Sequence, residues 1–162
     1  MGTVIEDWFA LRSLLEKHAG RNNKIVSTNG VFDLLHVGHV RVLQAARCLG
    51  DVLIVGINSD ASVRRLKGVT RPYVPQGERA EVLAALACVT YVTIFTEDTP
   101  VEMLRALRPN IHTKGGDYNI DSMPETPVMA EWGGRVVALP FVPGKSSTRL
   151  AELIESAAKG ES

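Results

Sequence analysis

The sequence predicts an α/β protein: a single domain with a central parallel sheet and helices on both faces. Three observations predict it. Short apolar runs alternate with helical patterns along all 162 residues. The run Val52-Leu53-Ile54-Val55 is apolar on both faces, as a central parallel strand requires. The polar and glycine-bearing stretches 29–39, 58–75, 114–118 and 143–148 follow the predicted strands, the side on which such sheets bind ligands.

The elements follow in order. Thr3-Val4-Ile5-Glu6 has the pattern of a capping box, opening a helix that runs toward His18. Residues 20–23 form a turn before a first strand at 24–28. Val40, Leu43, Ala46 and Leu49 mark a helix that ends near Gly50, a residue suited to a left-handed cap. A second strand occupies 51–58, a helix 78–87 and a third strand 91–95. Thr99-Pro100-Val101-Glu102 joins an N-cap, a proline at the first helical position and a capping-box glutamate. That helix stops before Pro109. A short strand at 111–114, a short helix at 128–132 and a strand at 135–139 complete the alternation. Ser146 or Ser147 caps a last helix that runs to about residue 158. Residues 1–23 then read as an accessory helix and turn, 24–158 as the domain proper and 159–162 as a loose tail.

Composition narrows the function. Hydrophobic residues make up 45% and charged residues 22%, ordinary for a soluble globule. The formal net charge is zero, which argues against nucleic acid or an anionic membrane as partner. The longest nearly apolar run, Val82 to Phe95, is interrupted by Thr90 and Thr93 and is too short to span a bilayer. The amino terminus lacks the basic segment and apolar core of a signal peptide, so a cytoplasmic location is expected. Cys48 and Cys88 fall on apolar helical faces and are expected to be reduced, buried thiols. Trp8, Phe9 and Leu11 on the first helix would pack on the same chain or on a second copy.

The chemistry is concentrated at His36-Val37-Gly38-His39. Two histidines three residues apart at a helix start project from one side of the first turn. Backbone N–H groups there lack helical partners and the helix dipole is positive, which favours an anion. Gly38 between them leaves room for a phosphate against the backbone. The same spacing could bind a metal, but neither cysteine falls at a ligand spacing to it, and no dense carboxylate cluster offers a protein-built cage.

The run Gly30-Val31-Phe32-Asp33-Leu34-Leu35-His36-Val37-Gly38-His39 resembles the signature of the cytidylyltransferase-like nucleotidyltransferases. The resemblance implies a Rossmann-like domain that moves a nucleoside monophosphate from a triphosphate onto a phosphate. Further segments follow in the order of one branch: Asn58-Ser59-Asp60-Ala61-Ser62, Leu66-Lys67-Gly68 with Arg71-Pro72, Lys114-Gly115-Gly116-Asp117-Tyr118, Trp132-Gly133-Gly134 and Ser146-Ser147-Thr148. That branch adenylylates a heptose 1-phosphate, so the partners it implies are ATP with Mg²⁺ and a sugar 1-phosphate. It also implies a homo-oligomer, a dimer or larger. Where the activity forms half of a fusion with a sugar kinase, this chain looks like the stand-alone form. Two departures stand out. Thr113, preceded by His112, replaces a common valine before Lys114, and Ser146-Ser147-Thr148 stands for Ser-Thr-Thr. A CTP-dependent enzyme acting on glycerol 3-phosphate is an alternative, but Phe141-Val142-Pro143-Gly144 replaces its Arg-Thr-Glu-Gly. A nucleotide-binding module without catalysis is another, and the intact histidine pair argues against it.

The resemblance assigns His36 and His39 to the triphosphate, with Gly30, Val31 and Phe32 offering backbone groups. Asp33 orients a donor, helps place magnesium, or caps the helix. Lys67 and Arg71, in a glycine-bearing loop, are cations able to close over phosphates. Arg79 opens a helix against its dipole, which calls for an anion, either phosphate or Asp/Glu, unless the arginine is simply exposed. Gly115 and Gly116 let a flat base approach, with Asp117 and Tyr118 to read and stack on it and Lys114 beside them. Ser147 and Thr148 offer a second helix start to phosphate. Asn58 and Asp60 end the second strand, where Asp60 would meet a sugar hydroxyl or cap the next turn. The nucleophile would be a phosphate monoester, whose second pKa of about 6 leaves it ionised at neutral pH, so no general base is required.

Overall fold

The computed structural model describes residues 1–140 and, beyond them, positions 150, 151, 154 and 156, which are helical. The stretch 143–148 that the sequence predicts to be a loop, with Ser147 and Thr148, lies outside the described residues. The described chain forms a six-stranded parallel sheet of strands β1 (Thr3–Val4), β2 (Ile25–Gly30), β3 (Val52–Asn58), β4 (Tyr91–Phe95), β5 (Ile111–Gly115) and β6 (Arg135–Leu139). The strand order is β1-β4-β3-β2-β5-β6. The expectation of a single α/β domain with a parallel sheet and helices on both faces is borne out.

Helices α2 (Val37–Arg47) and α4 (Gln76–Ala84) cover one face. There Leu43, Ala46, Ala80 and Leu83 pack on Val26, Leu53, Val55 and Ile57. Helices α1 (Trp8–Ala19), α5 (Val101–Leu107) and α6 (Glu125–Ala130) cover the other. Leu11, Leu15, Met103, Leu104 and Met129 meet Ile25, Val52 and Ile54 in that core. Alternation of side chains along β2 and β3 feeds both cores, so β3 is apolar up to Asn58, while in β2 the buried hydroxyls of Ser27 and Thr28 are hydrogen-bonded to β5. Strand order reverses between β2 and β5. That switch point opens a crevice beyond their carboxyl ends, which places the site.

Several local expectations need correction. Thr3 and Val4 do not cap a helix: they pair with Tyr91 and Val92 as an edge strand. The cap of α1 is Asp7, whose carboxylate accepts from the Phe9 and Ala10 N–H groups. Leu11 is buried and Trp8 packs on the core of its own chain, while Phe9 faces outward. The long stretch after β3 is not all loop. Helix α3 (Asp60–Lys67) fills its first half, capped by Ser59 accepting from Ser62 N–H. Gly68 ends that helix at φ +98°, a conformation other residues rarely adopt. Gly50 is not a left-handed cap. The helix ends at Arg47 with Cys48 right-handed, and Gly50 is small because a Cβ there would lie 2.6 Å from the Lys24 carbonyl oxygen. At α5 no side chain caps the helix; Pro100, not Thr99, precedes it, and its carbonyl accepts from Leu104 N–H. Helix α6 starts three residues earlier than expected and follows a 3₁₀ turn at Ile120–Ser122. Cys48 is exposed and Cys88 half-buried, neither in the core, and both thiols are free.

Candidate active site

The loop leaving β2 turns sharply at Phe32, a non-glycine residue at φ 50°. This turn sends the Phe32 ring back over Gly30, where a Cβ would lie 2.9 Å from it. The ring also meets the imidazole of His39, centroids 5.1 Å apart. His36 and His39 stack on each other at 3.9 Å with their planes 24° apart.

The two histidines also cap their own helix. Gly38 N–H donates to His36 Nδ1 at 3.1 Å, and His36 N–H donates to His39 Nδ1 at 3.3 Å. An Nδ1 that accepts a hydrogen bond carries no proton, so each neutral ring holds its proton on Nε2, which becomes a donor. Burial drives the pKa of His39 down to about 4, and the neighbouring charges of His36 and Lys67 push the same way. His39 is therefore a neutral, oriented donor at pH 7. The Gly38 N–H, expected to be open to phosphate, is already spent on His36.

Asp33 does not cap the helix, since His36 occupies that position. Its carboxylate is buried and fully engaged: Oδ2 pairs with Arg71 Nε at 2.6 Å, and Oδ1 accepts from the Tyr73 and Val74 N–H groups. It thus pins the strap between α3 and α4 against the histidine loop. Arg71 packs over the Tyr73 ring, and its Nη2 is buried with no hydrogen-bond partner. Lys67 ends α3 nearby. Its ammonium sits below the ordinary lysine range because of partial burial and the Arg71 charge, with Asp33 pulling the other way.

Arg79 is not exposed and does not project toward a ligand. It is 2% exposed and each guanidinium nitrogen donates inside the protein, to the carbonyls of Val74, Val31 and Asn58 and to Asp60 Oδ1. Of the partners expected for this cation, the carboxylate is present: Asp60 pairs with it at 2.7 Å. Asn58 is buried and donates to Ser62 Oγ. Asn58 and Asp60 therefore hold the Arg79 knot and the start of α3, and neither is spent capping a turn.

Across the switch point, Lys114 donates to Asn29 Oδ1 and approaches Glu125. Gly116, at φ +130°, lets the chain fold so that Tyr118 covers it; a Cβ there would stand 2.9 Å from the Tyr118 ring. Gly116, Asp117, Tyr118 and Asn119 line an open groove of about 580 Å³ with Ala138, Leu139 and Pro140, within the size range of small-molecule sites. Asp117 and Tyr118 are exposed along it.

The donors gathered around the histidines are nitrogens: two imidazoles, an ammonium and a guanidinium. The carboxylate of that loop is committed to Arg71. This set suits a polyanion and not a metal held by the protein. Sequence reasoning missed Glu125, whose Glu-Thr-Pro setting carries no signal beyond a helix start.

Residues 27–151 match the Cytidylyltransferase-like family. The chain belongs to that family. It is therefore a nucleotidyltransferase, as the signature at residues 30–39 implied. It is 53% identical over 144 residues to the bifunctional protein HldE of Pelobacter propionicus, covering 89% of this chain and 30% of that protein. It is 49% identical over 152 residues to HldE of Geotalea uraniireducens, covering 94% of this chain and 31% of that one. The chain thus spans about a third of the length of these relatives. Among solved structures, a lipopolysaccharide core biosynthesis protein from Thermoplasma volcanium superposes with a TM-score of 0.62 at 27% identity, covering 74% of this chain and 97% of that one. A pantoate-β-alanine ligase from Francisella tularensis shares the fold, with a TM-score of 0.68 at 15% identity, covering 98% of this chain and 77% of that one. Among the described residues of this family member, no helix is long and apolar enough to cross a membrane.

Proposed function

We propose that this nucleotidyltransferase transfers AMP from ATP to the phosphate of D-glycero-β-D-manno-heptose 1-phosphate, giving ADP-heptose and pyrophosphate. The observation that carries the reading is the His36–His39 pair, two oriented imidazoles backed by Lys67 and Arg71 at the switch point of the sheet. The motif order along the chain and the identity to the HldE proteins support heptose phosphate as acceptor.

In this reading an ionised oxygen of the acceptor phosphate attacks the α-phosphorus, and the bond to the β-phosphate oxygen breaks. No proton has to be removed. The protein's task is alignment and electrostatic stabilisation. The Nε2–H donors of His36 and His39 meet charge on the α-phosphate and the departing pyrophosphate. Arg71 Nη2, buried and unspent, joins the Lys67 ammonium on the phosphate oxygens. Magnesium carried by the triphosphate would supply charge neutralisation, with no carboxylate cluster among the described residues to hold it on the protein. The groove beside Tyr118 takes the base, with Asp117 at its edge.

The test is pyrophosphate release from ATP or CTP with a panel of phosphorylated acceptors. ATP with the heptose 1-phosphate should turn over fastest. Turnover of CTP with glycerol 3-phosphate in its place, or no turnover with any sugar 1-phosphate, would remove the proposal.

A further inference from the structure

The pairing of Lys114 with Glu125 is not explained by the stability of the fold. Asn29 lies opposite Gly56 in the sheet register, and a Cβ at Gly56 would run into Met103 of α5. Asn29 therefore faces the α5–α6 side, away from α2. On that side the Lys114 ammonium donates to Asn29 Oδ1 at 3.1 Å and stands 3.6 Å from Glu125 Oε1. Glu125 is 3% exposed, and its Oε2 is buried with no hydrogen-bond partner. The side chain caps nothing, since no side-chain cap closes the start of α6. Removing a carboxylate from water while leaving one oxygen unpaired is costly, and an apolar pair of similar volume is commonly as stable or more so. Such a group is retained where its charge places another group.

The group it places is the Lys114 ammonium. Lys114 would otherwise extend into solvent on a flexible stem. Held by two oxygens, its ammonium lies 6.0 Å from the centroid of the Tyr118 ring, within reach of the ring's negative face. Tyr118 is in turn folded over Gly116 at the groove. Asn29, Lys114, Glu125 and Tyr118 thus form one chain of contacts running from beneath the sheet end to the groove. With its charge already met by Glu125, Lys114 is a poor clamp for phosphate and a good tether for the aromatic ring.

We propose that Glu125 is a positioning residue for the nucleotide: with Asn29 it fixes the Lys114 ammonium, and through it the Tyr118 ring on which the base stacks. This rests on the reading of the groove as the base site given above. It also separates two halves of ATP recognition. The histidine side grips the phosphates, and the Glu125 side acts on the base alone.

The experiment compares wild type with Glu125→Gln, Lys114→Met and the double variant, by calorimetry with ATP and with inorganic tripolyphosphate, and by steady-state kinetics. Glu125→Gln should weaken ATP binding and raise the KM for ATP about tenfold, the scale of one base–aromatic stack. Its kcat and acceptor KM should stay within about threefold, and tripolyphosphate, which has no base, should bind as in wild type. The double variant should be no worse than Lys114→Met alone. Unchanged ATP affinity in Glu125→Gln, an equal loss for tripolyphosphate, or additive losses in the double variant would overturn the inference while leaving the proposed reaction standing. Failure of wild type to bind ATP would overturn both. If Glu125→Gln does not fold, Asn29→Ala frees the same ammonium and is read the same way.

Discussion

His36 and His39 are each other's support: their rings stack, and the backbone N–H of His36 holds the Nδ1 of His39. The pair acts as one unit whose proton-bearing nitrogens are set by the helix start itself. The Phe32 ring packs against the outer side of this unit, 5.1 Å from the His39 ring.

Replacing His39 by alanine removes the Nε2–H donor that the proposed reaction places on the transferring phosphate, and with it the acceptor of His36 N–H. Turnover should fall about 10²-fold or more, the range for loss of one preorganised transition-state donor. Pyrophosphate release under saturating substrates measures it. A variant with wild-type turnover and wild-type ATP affinity would show that this ring takes no part.

The Phe32 ring is the next layer behind His39. Gly30→Ala puts a methyl group 2.9 Å from that ring and forces it to move. The expected outcome is a folded protein whose kcat drops about tenfold while the KM for the acceptor changes little. A kcat equal to wild type would mean that the Phe32 ring does not set the imidazole.

Acid should unfold the protein through its buried histidines. His39 titrates near 4, and His112, buried in the sheet and next to Lys114, near 3, both below the ordinary 6.5. Between those values the unfolded chain binds protons that the folded chain does not, so stability rises with pH there. Both contributions are in full force above pH 6.5 and fade as pH falls toward 4 and then 3. Urea midpoints across this window should fall with pH, and His39→Gln should flatten the upper part of the decline.

Arg79 ties three backbone carbonyls and Asp60 into one knot behind the site. Arg79→Met leaves a carboxylate and three carbonyls without their donor. A loss of about 3 kcal/mol or more is expected, as for other broken buried pairs. Chemical denaturation at neutral pH checks it.

Gly68 separates backbone from packing. Nothing lies within 4 Å of a Cβ built there, yet φ is +98°. Gly68→Ala should cost about 1–3 kcal/mol from the dihedrals alone, since φ +98° with ψ 165° is a region essentially only glycine enters, and the same denaturation measurement reads it.

The fold was largely readable because its strands declare themselves. Residues 91–95 and 135–139 match β4 and β6 to the residue, since the first is a run of β-branched and aromatic residues and the second lies between Gly134 and Pro140. Helix α3 escaped because it is only eight residues long and mostly polar, so Val63 and Leu66 alone are too few to show a helical period. Strand β1 escaped because two residues carry no period, and only pairing with β4 makes them a strand. At the site, the histidine pair was legible from spacing. The commitments of Asp33 and Arg79 were not, because both depend on segments 19 to 48 residues away that only the tertiary fold brings near.

The reversal between β2 and β5 carries a last implication. Asn29 and Lys114, 85 positions apart, grasp each other across that seam. In the proposed reaction the phosphate grip comes from the amino-terminal flank and the base groove from the carboxyl-terminal one, so a truncated product keeping one flank should lose turnover even where it stays folded.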